Sequence, residues 1–233
     1  MSNNFIPVCW ITSSNMELIV ATVNKKRSYH SPRRHRQAIL TRKDIMDAAR
    51  RRFLADGFAG TTISSIAEDA DVSVDTVYKN YGGKAGLVRA IFEAALAGEG
   101  QVHAEIRSDQ LQMTEVDPKA IMRGFGRLVA EVAPRAAPIL LLIQEAASTD
   151  PEMVTVAEEL DGARMKRMAH NASNLAAAGH LRPGISIEKA GQICWVYTSP
   201  QLYQMLVVKL GWPAEDFGEF VAEALIAALL PTE

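Results

Sequence analysis

The stretch DVSVDTVYKNYGGK, residues 71–84, carries Ser73, Thr76, Tyr78, Lys79, Asn80 and Lys84 on one short helix and its exit. Side chains of these types suit a polyanion better than a reaction. Hydroxyls and lysine ammoniums meet phosphate oxygens, and an asparagine amide pairs with an adenine edge. Val74 can pack on a thymine methyl, and Asp75 can accept from a cytosine amino group. Elsewhere the spacing excludes the common catalytic designs. The chain has no nucleophile motif, P-loop, dinucleotide glycine fingerprint or helix-borne carboxylate–histidine pattern. Its five histidines are scattered, and its two cysteines, Cys9 and Cys194, lie far apart. Neither a metal centre nor a disulfide scaffold follows. A non-enzyme without cofactor or metal is expected.

The elements that position this face can be read from caps and periods. Ser73 is a helix N-cap, flanked by Val72 and Val77 as a hydrophobic staple. Val77 and Tyr81, at i and i+4, face inward, which leaves Val74, Asp75, Tyr78 and Lys79 outside with Thr76 and Asn80 at the margins. Upstream, TTISSIAEDA forms a helix capped by Thr61 or Thr62, with Ile63, Ile66, Ala67 and Ala70 as its apolar stripe. The turn between these helices is so tight that Asp71 is expected in the left-handed region. A first helix over about 42–56 buries Ile45, Ala49 and Phe53 and ends at Gly57. Two short helices joined by a tight turn make a helix-turn-helix unit.

Charge points the same way. The chain of 233 residues is 48% apolar with a net charge of −2. Yet Lys25, Lys26, Arg27, Arg33, Arg34, Arg36, Arg42, Lys43, Arg50, Arg51 and Arg52 fall between Asn24 and Phe53, opposed only by Asp44 and Asp47. A basic N-terminal part on an otherwise acidic chain implies a polyanionic partner. Residues 1–40 show no period, and a disordered basic extension is expected there. The N-terminal FIPVCWITSSNMELIVATV lacks a basic leader, and no apolar run reaches the roughly 20 residues of a membrane span, so a cytoplasmic protein is expected.

Beyond Lys84 the pattern is helical throughout, with helices expected near 84–98, 118–133, 137–148, 151–178, 186–210 and 214–230. Prolines 118, 134, 138, 151, 183 and 213 mark starts or breaks. The fold class is therefore all-α: a three-helix DNA-binding domain over 41–88, then a helical bundle over 89–233. Apolar spaces between bundle helices are natural ligand sites. Phe125, Gln144, Met165, Met168 and Trp195 are the candidate lining residues. The segment Ile193, Cys194, Trp195, Val196, Tyr197 leaves no polar face and must be covered on both sides. A stripe of Phe217, Val221, Ala224, Leu225 and Ala228 in the last helix permits close helix approach.

The run TTISSIAEDADVSVDTVYKNYGGKAGLVRAIFE resembles the DNA-binding domain of the TetR family of transcriptional regulators. The likeness covers about 42–92 and rests on Gly57-Phe58, Thr61-Thr62, Ile66-Ala67, Val72-Ser73, Thr76-Val77-Tyr78, Tyr81, Lys84 and Leu87 at fixed offsets. Asp71 stands where the family usually has Gly, Asp75 where a small or basic residue is commoner, Asn80 for an aromatic or His, and Gly82-Gly83 for a Pro-Ser-like pair. These departures bear on the operator read, not on the fold. The resemblance implies operator DNA as partner, contacted by Arg42, Thr62, Ser73, Val74, Asp75, Thr76, Tyr78, Lys79, Asn80 and Lys84. The last two helices resemble the family's dimer-forming pair, which implies a homodimer through residues 186–230. A small apolar effector that releases a repressor from DNA is the expected regulation. An all-helical carrier or enzyme with an incidental basic arm is the competing class.

Overall fold

A computed structural model describes residues 32–98 and 102–232, and among these the secondary structure is helical with no strand. The DNA-binding part comprises α1 (Pro32–Gly60), α2 (Ile63–Asp69), α3 (Val74–Tyr81) and the start of α4 (Lys84–Ala97). The remainder is α5 (Ala104–Thr114), α6 (Pro118–Ala146), α7 (Pro151–Ala177), α8 (Ile187–Tyr197), α9 (Pro200–Tyr203) and α10 (Ala214–Leu229).

The first helix starts at Pro32, earlier than expected. Proline suits a first helical position, and Arg36, Gln37, Ala38 and Leu40 are good helix formers. Residues 35–40 are exposed all round, so no burial period advertises them. The extension expected over 1–40 is thus helical from Pro32, and Lys25, Lys26 and Arg27 lie outside the described residues. Ile45, Ala48, Ala49 and Phe53 are fully buried along the inner face of α1. The helix breaks at Gly57, where φ is +72°, a conformation that glycine adopts without Cβ strain.

Local caps fix the next two helices. Thr62, not Thr61, caps α2 by accepting from the backbone N–H of Ser65 at 3.0 Å. Thr61 is buried and donates to the Gly57 carbonyl at 2.8 Å, closing the turn behind the kink. Asp71 has φ of +52°, the left-handed turn residue anticipated. Ser73 caps α3, accepting from the N–H of Thr76 at 3.2 Å. Arg52 clasps Asp69 through two bonds of 2.7 Å, tying α1 to the end of α2. The Tyr81 hydroxyl donates to the Arg42 carbonyl at 2.7 Å, tying the end of α3 back to α1.

Three elements differ from the sequence reading. Helix α5 was absent from it, because Ser108 is its one buried residue and no apolar stripe marks it. Helix α6 runs unbroken through Pro134 and Pro138, where a break was expected. Burial of Ala136, Ala137, Ile139 and Ile143 around those prolines holds the helix together despite the missing N–H donors. Conversely, the single helix expected over 186–210 is divided. It stops at Tyr197, restarts on a Ser199 cap with Pro200 in the first turn, and continues as π-helical turns over Gln204–Lys209.

Two apolar clusters form the core. One joins α1–α4 to the C-terminal half of α6 and the start of α7; the other fills the space between α6, α7, α8 and α10. Helix α4 runs from the first cluster into the bundle, so the boundary expected at 88/89 falls inside a continuous helix. Helices α6 and α10 cross in near backbone contact. A Cβ on Gly126 would lie 2.3 Å from the Gly218 carbonyl oxygen, and one on Gly218 2.5 Å from that of Gly126. This crossing corrects the reading of α10: Phe217, Val221 and Leu225 are buried within the bundle rather than offered outward.

Candidate nucleic-acid face and internal cavity

On α3 the cap and the buried Val77 leave one face in solvent. Val74 is 37% and Tyr78 51% exposed, and Asp75 and Lys79 lie beside them in the open. Thr76 is half-buried, its hydroxyl 2.8 Å from that of Ser73. The face therefore presents an isopropyl group, a carboxylate, a phenol and an ammonium, with two hydroxyls at its N-terminal edge. Thr62 is exposed at the neighbouring start of α2, its hydroxyl engaged with Ser65.

Two residues of the expected DNA-contact set have other employment. The Asn80 amide donates through Nδ2 to the Thr76 carbonyl at 2.7 Å and accepts through Oδ1 from Arg42 Nε at 3.0 Å. Reading an adenine edge would cost both bonds, so Asn80 is a brace between α3 and α1. Arg42 is exposed, and its guanidinium keeps further N–H donors beyond the Nε held by Asn80. Lys84 turns inward: Nζ donates to the carbonyls of Phe58 at 2.7 Å and Thr61 at 3.1 Å and lies 4.1 Å from the Phe58 ring centroid. The expectation that its ammonium meets a phosphate gives way to a structural role.

Inside the bundle lies a cavity of about 220 Å³, walled by α4, α5, α6, α7 and the α8–α9 turn. Its wall is largely apolar, with Phe92, Leu96, Phe125, Val129, Leu140 and Leu160 prominent. Of the five candidates, Phe125 and Met168 line it. Gln144, Met165 and Trp195 do not. Gln144 is exposed and accepts from Gln201 at 2.7 Å. Trp195 donates its indole N–H to Asp161 at 3.2 Å, with Arg164 against its ring. Met165 lies half-buried on another face of α7.

Polar residues of α7 missed at first make up the rest of the wall. Arg164, Arg167 and Asn171 fall at i, i+3 and i+7 on the same face as Leu160, Met168 and Leu175, a polar interruption of an apolar stripe. Arg164 donates to Asp161 at 3.0 Å and to the Thr198 carbonyl at 3.2 Å; burial holds its pKa below the ordinary value, with Asp161 opposing. Arg167 donates to both carboxylate oxygens of Asp109, at 2.5 and 3.1 Å, and to Asn171 Oδ1 at 2.7 Å. That hydrogen bonding holds the Asp109 carboxyl below the usual range. Among the described residues no group of three or more His, Cys, Asp or Glu could hold a metal ion.

A helix-turn-helix with an open second helix is thus joined through one continuous helix to a bundle around an apolar cavity. Residues 45–91 match the family of bacterial regulatory proteins called the tetR family. The uncharacterized HTH-type transcriptional regulator YvkB of Bacillus subtilis strain 168 is 35% identical over 69 residues, 30% of this chain and 36% of YvkB; the match thus spans about a third of that relative. Two solved structures share the fold. Native NalD, the secondary repressor of the MexAB-OprM multidrug efflux pump in Pseudomonas aeruginosa, superposes with a TM-score of 0.65 at 18% identity, over 84% of this chain and 100% of NalD. The SmeT–triclosan complex gives 0.64 at 19%, over 82% and 92%. The N-terminal part of the chain thus matches the tetR family of bacterial regulatory proteins, and the chain as a whole shares the fold of the NalD and SmeT structures.

Proposed function

We propose that this regulator is a dimeric repressor whose α3 helices read an operator and whose cavity takes a small apolar effector. The observation that carries the reading is the exposed face of Val74, Asp75, Tyr78 and Lys79, held by a cap and a brace, in a chain whose bundle also holds a largely apolar cavity. Two such α3 helices would enter successive major grooves about 34–36 Å apart. The uncovered side of the bundle supports pairing. Val196 on α8 and Phe220 on α10 are 49% and 37% exposed, and Phe220 packs edge-on against both Tyr197 and Trp212. This face, rather than the inward Phe217–Leu225 stripe, is the dimer surface within residues 186–230.

Coupling would run through α4. Its residues Phe92 and Leu96 line the cavity, and Arg135 of α6 donates to the Ala95 carbonyl at 3.1 Å. Its first turns pack in the DNA-binding core through Leu87 and Val88. An effector that fits the cavity better in one α4 position shifts the population toward the corresponding α3 spacing. Turning DNA binding almost fully off needs about 10⁴-fold preference between the two states. NalD's role as a repressor and triclosan in SmeT support a reading of this kind for the present chain. A gel-shift assay on the DNA upstream of the protein's own reading frame, with and without an organic extract of its host, tests it. Retardation relieved by the extract is expected; retardation indifferent to every extract would remove the effector from the account.

A further inference from the structure

The cavity wall is largely apolar, and two of its polar side chains, Asn171 and Tyr203, keep a donor that no protein group among the described residues accepts from. Asn171 is 6% exposed and lines the cavity. Its Oδ1 accepts from Arg167 at 2.7 Å and from Ser108 and Gln112, each at 3.2 Å. Because guanidinium can only donate, this contact fixes which amide atom is oxygen. The Nδ2 donor is then left without a partner among the described residues. Tyr203, 7% exposed on the opposing α9, also lines the cavity; it packs edge-on against Phe217, and its hydroxyl has no hydrogen bond among the described residues. Arg167 Nε is a buried donor with no partner among the described residues.

Charge decides what these donors want. Arg164 and Arg167, the cationic lining residues, are each paired with an aspartate, Asp161 and Asp109. The other charged lining residues are Glu93 and Glu105. No positive charge is left over for an anion, and a donor that faces the cavity without a protein partner gains a hydrogen bond from a ligand acceptor. We propose that the effector is a neutral, mainly apolar molecule bearing a carbonyl-type oxygen that accepts from Asn171 Nδ2 and the Tyr203 hydroxyl. This rests on the reading of the cavity as the effector site.

Three probes of one ring system separate the possibilities: 2-acetylnaphthalene, its hydrocarbon isostere 2-isopropenylnaphthalene, and 2-naphthoate. Their affinities are measured by titration calorimetry on the full chain and two variants. Asn171→Asp keeps the oxygen that Ser108, Gln112 and Arg167 hold, while exchanging the free donor for an acceptor; Tyr203→Phe removes only the hydroxyl. Wild type is expected to bind the ketone and to bind naphthoate weakest. The ketone-to-hydrocarbon affinity ratio should fall about tenfold in Asn171→Asp and several-fold in Tyr203→Phe, roughly one neutral hydrogen bond each. Naphthoate binding tightest, or a ratio unchanged in both variants, overturns the proposal while leaving the cavity as a ligand site. No binding of any probe to wild type overturns the cavity reading itself.

Discussion

Lys84 Nζ sits 2.7 Å from the Phe58 carbonyl oxygen and over the ring of the same residue, joining the start of α4 to the end of α1 beyond its kink. A lysine at the edge of a DNA-binding domain is thereby placed in its scaffold. Lys84→Met keeps the stem and removes two charge-assisted bonds, so stability should fall by about 1.5–3 kcal/mol. The slope of log K against log salt should stay nearly constant, because no phosphate contact is lost. Thermal melts and a salt titration on one operator check both halves. A slope reduced by about 0.9 with an unchanged melt would return Lys84 to the DNA.

Asp75 is the exposed carboxylate on an otherwise DNA-compatible face. Near the N-terminus of α3 the helix dipole favours it by about 0.3–1 kcal/mol, yet facing phosphates it is repelled. Accepting from a cytosine amino group would resolve the conflict, with about 1–3 kcal/mol of discrimination. Asp75→Ala should bind random DNA more tightly and lose preference at one base pair per half-site. Tyr78→Phe should weaken all sequences about equally, its hydroxyl serving a phosphate. Binding-site selection on both variants is the check, and unchanged base preferences in Asp75→Ala would reduce Asp75 to a helix-end charge.

Acid should loosen the bundle. The Arg107 and Arg135 guanidiniums hold Glu131 below the usual carboxylate range, and Arg167 does the same to Asp109. Groups depressed in the folded state contribute fully above the unfolded carboxylate values, near about 4, and lose that contribution as pH falls through the folded values. The melting temperature should therefore decline from about pH 4 downward. Glu131→Gln should melt lower at neutral pH and show a shallower acid decline; an acid slope identical to wild type would show that this pair contributes nothing.

The proposed dimer face makes a separate demand. Phe220→Arg places a charge on the patch shared with Tyr197, Val196 and Trp212, where an unpaired charge buried on association costs about 3–5 kcal/mol. Sedimentation should show monomer at concentrations where wild type is dimeric, with an unchanged helical spectrum. A persisting dimer would move the interface elsewhere.

The DNA-binding half was legible because its signals are local. The Ser73 cap, the Asp71 left-handed turn and the i, i+4 burial of Ile45, Ala49 and Phe53 each follow from a few neighbouring residues. The bundle was less so, because its decisive terms are tertiary. Burial carries α6 through two prolines, and Ser199 with Pro200 divides a segment expected to be one helix. Side-chain employment was hidden for the same reason: nothing near Asn80 or Lys84 in sequence announces Arg42 or Phe58 as the partner. The Arg164–Arg167–Asn171 interruption of an apolar stripe was visible, and it marks the cavity better than the methionines did.

The most direct test of sequence-specific DNA reading by α3 is a binding-site selection from random duplexes with the full chain and with Val74→Ala/Tyr78→Ala. Wild type should enrich an inverted repeat whose half-site centres lie about one helical turn, or a multiple of it, apart. The variant should lose that enrichment while keeping weak, salt-sensitive binding. No enriched sequence from wild type, or the same repeat enriched by the variant, would contradict the account.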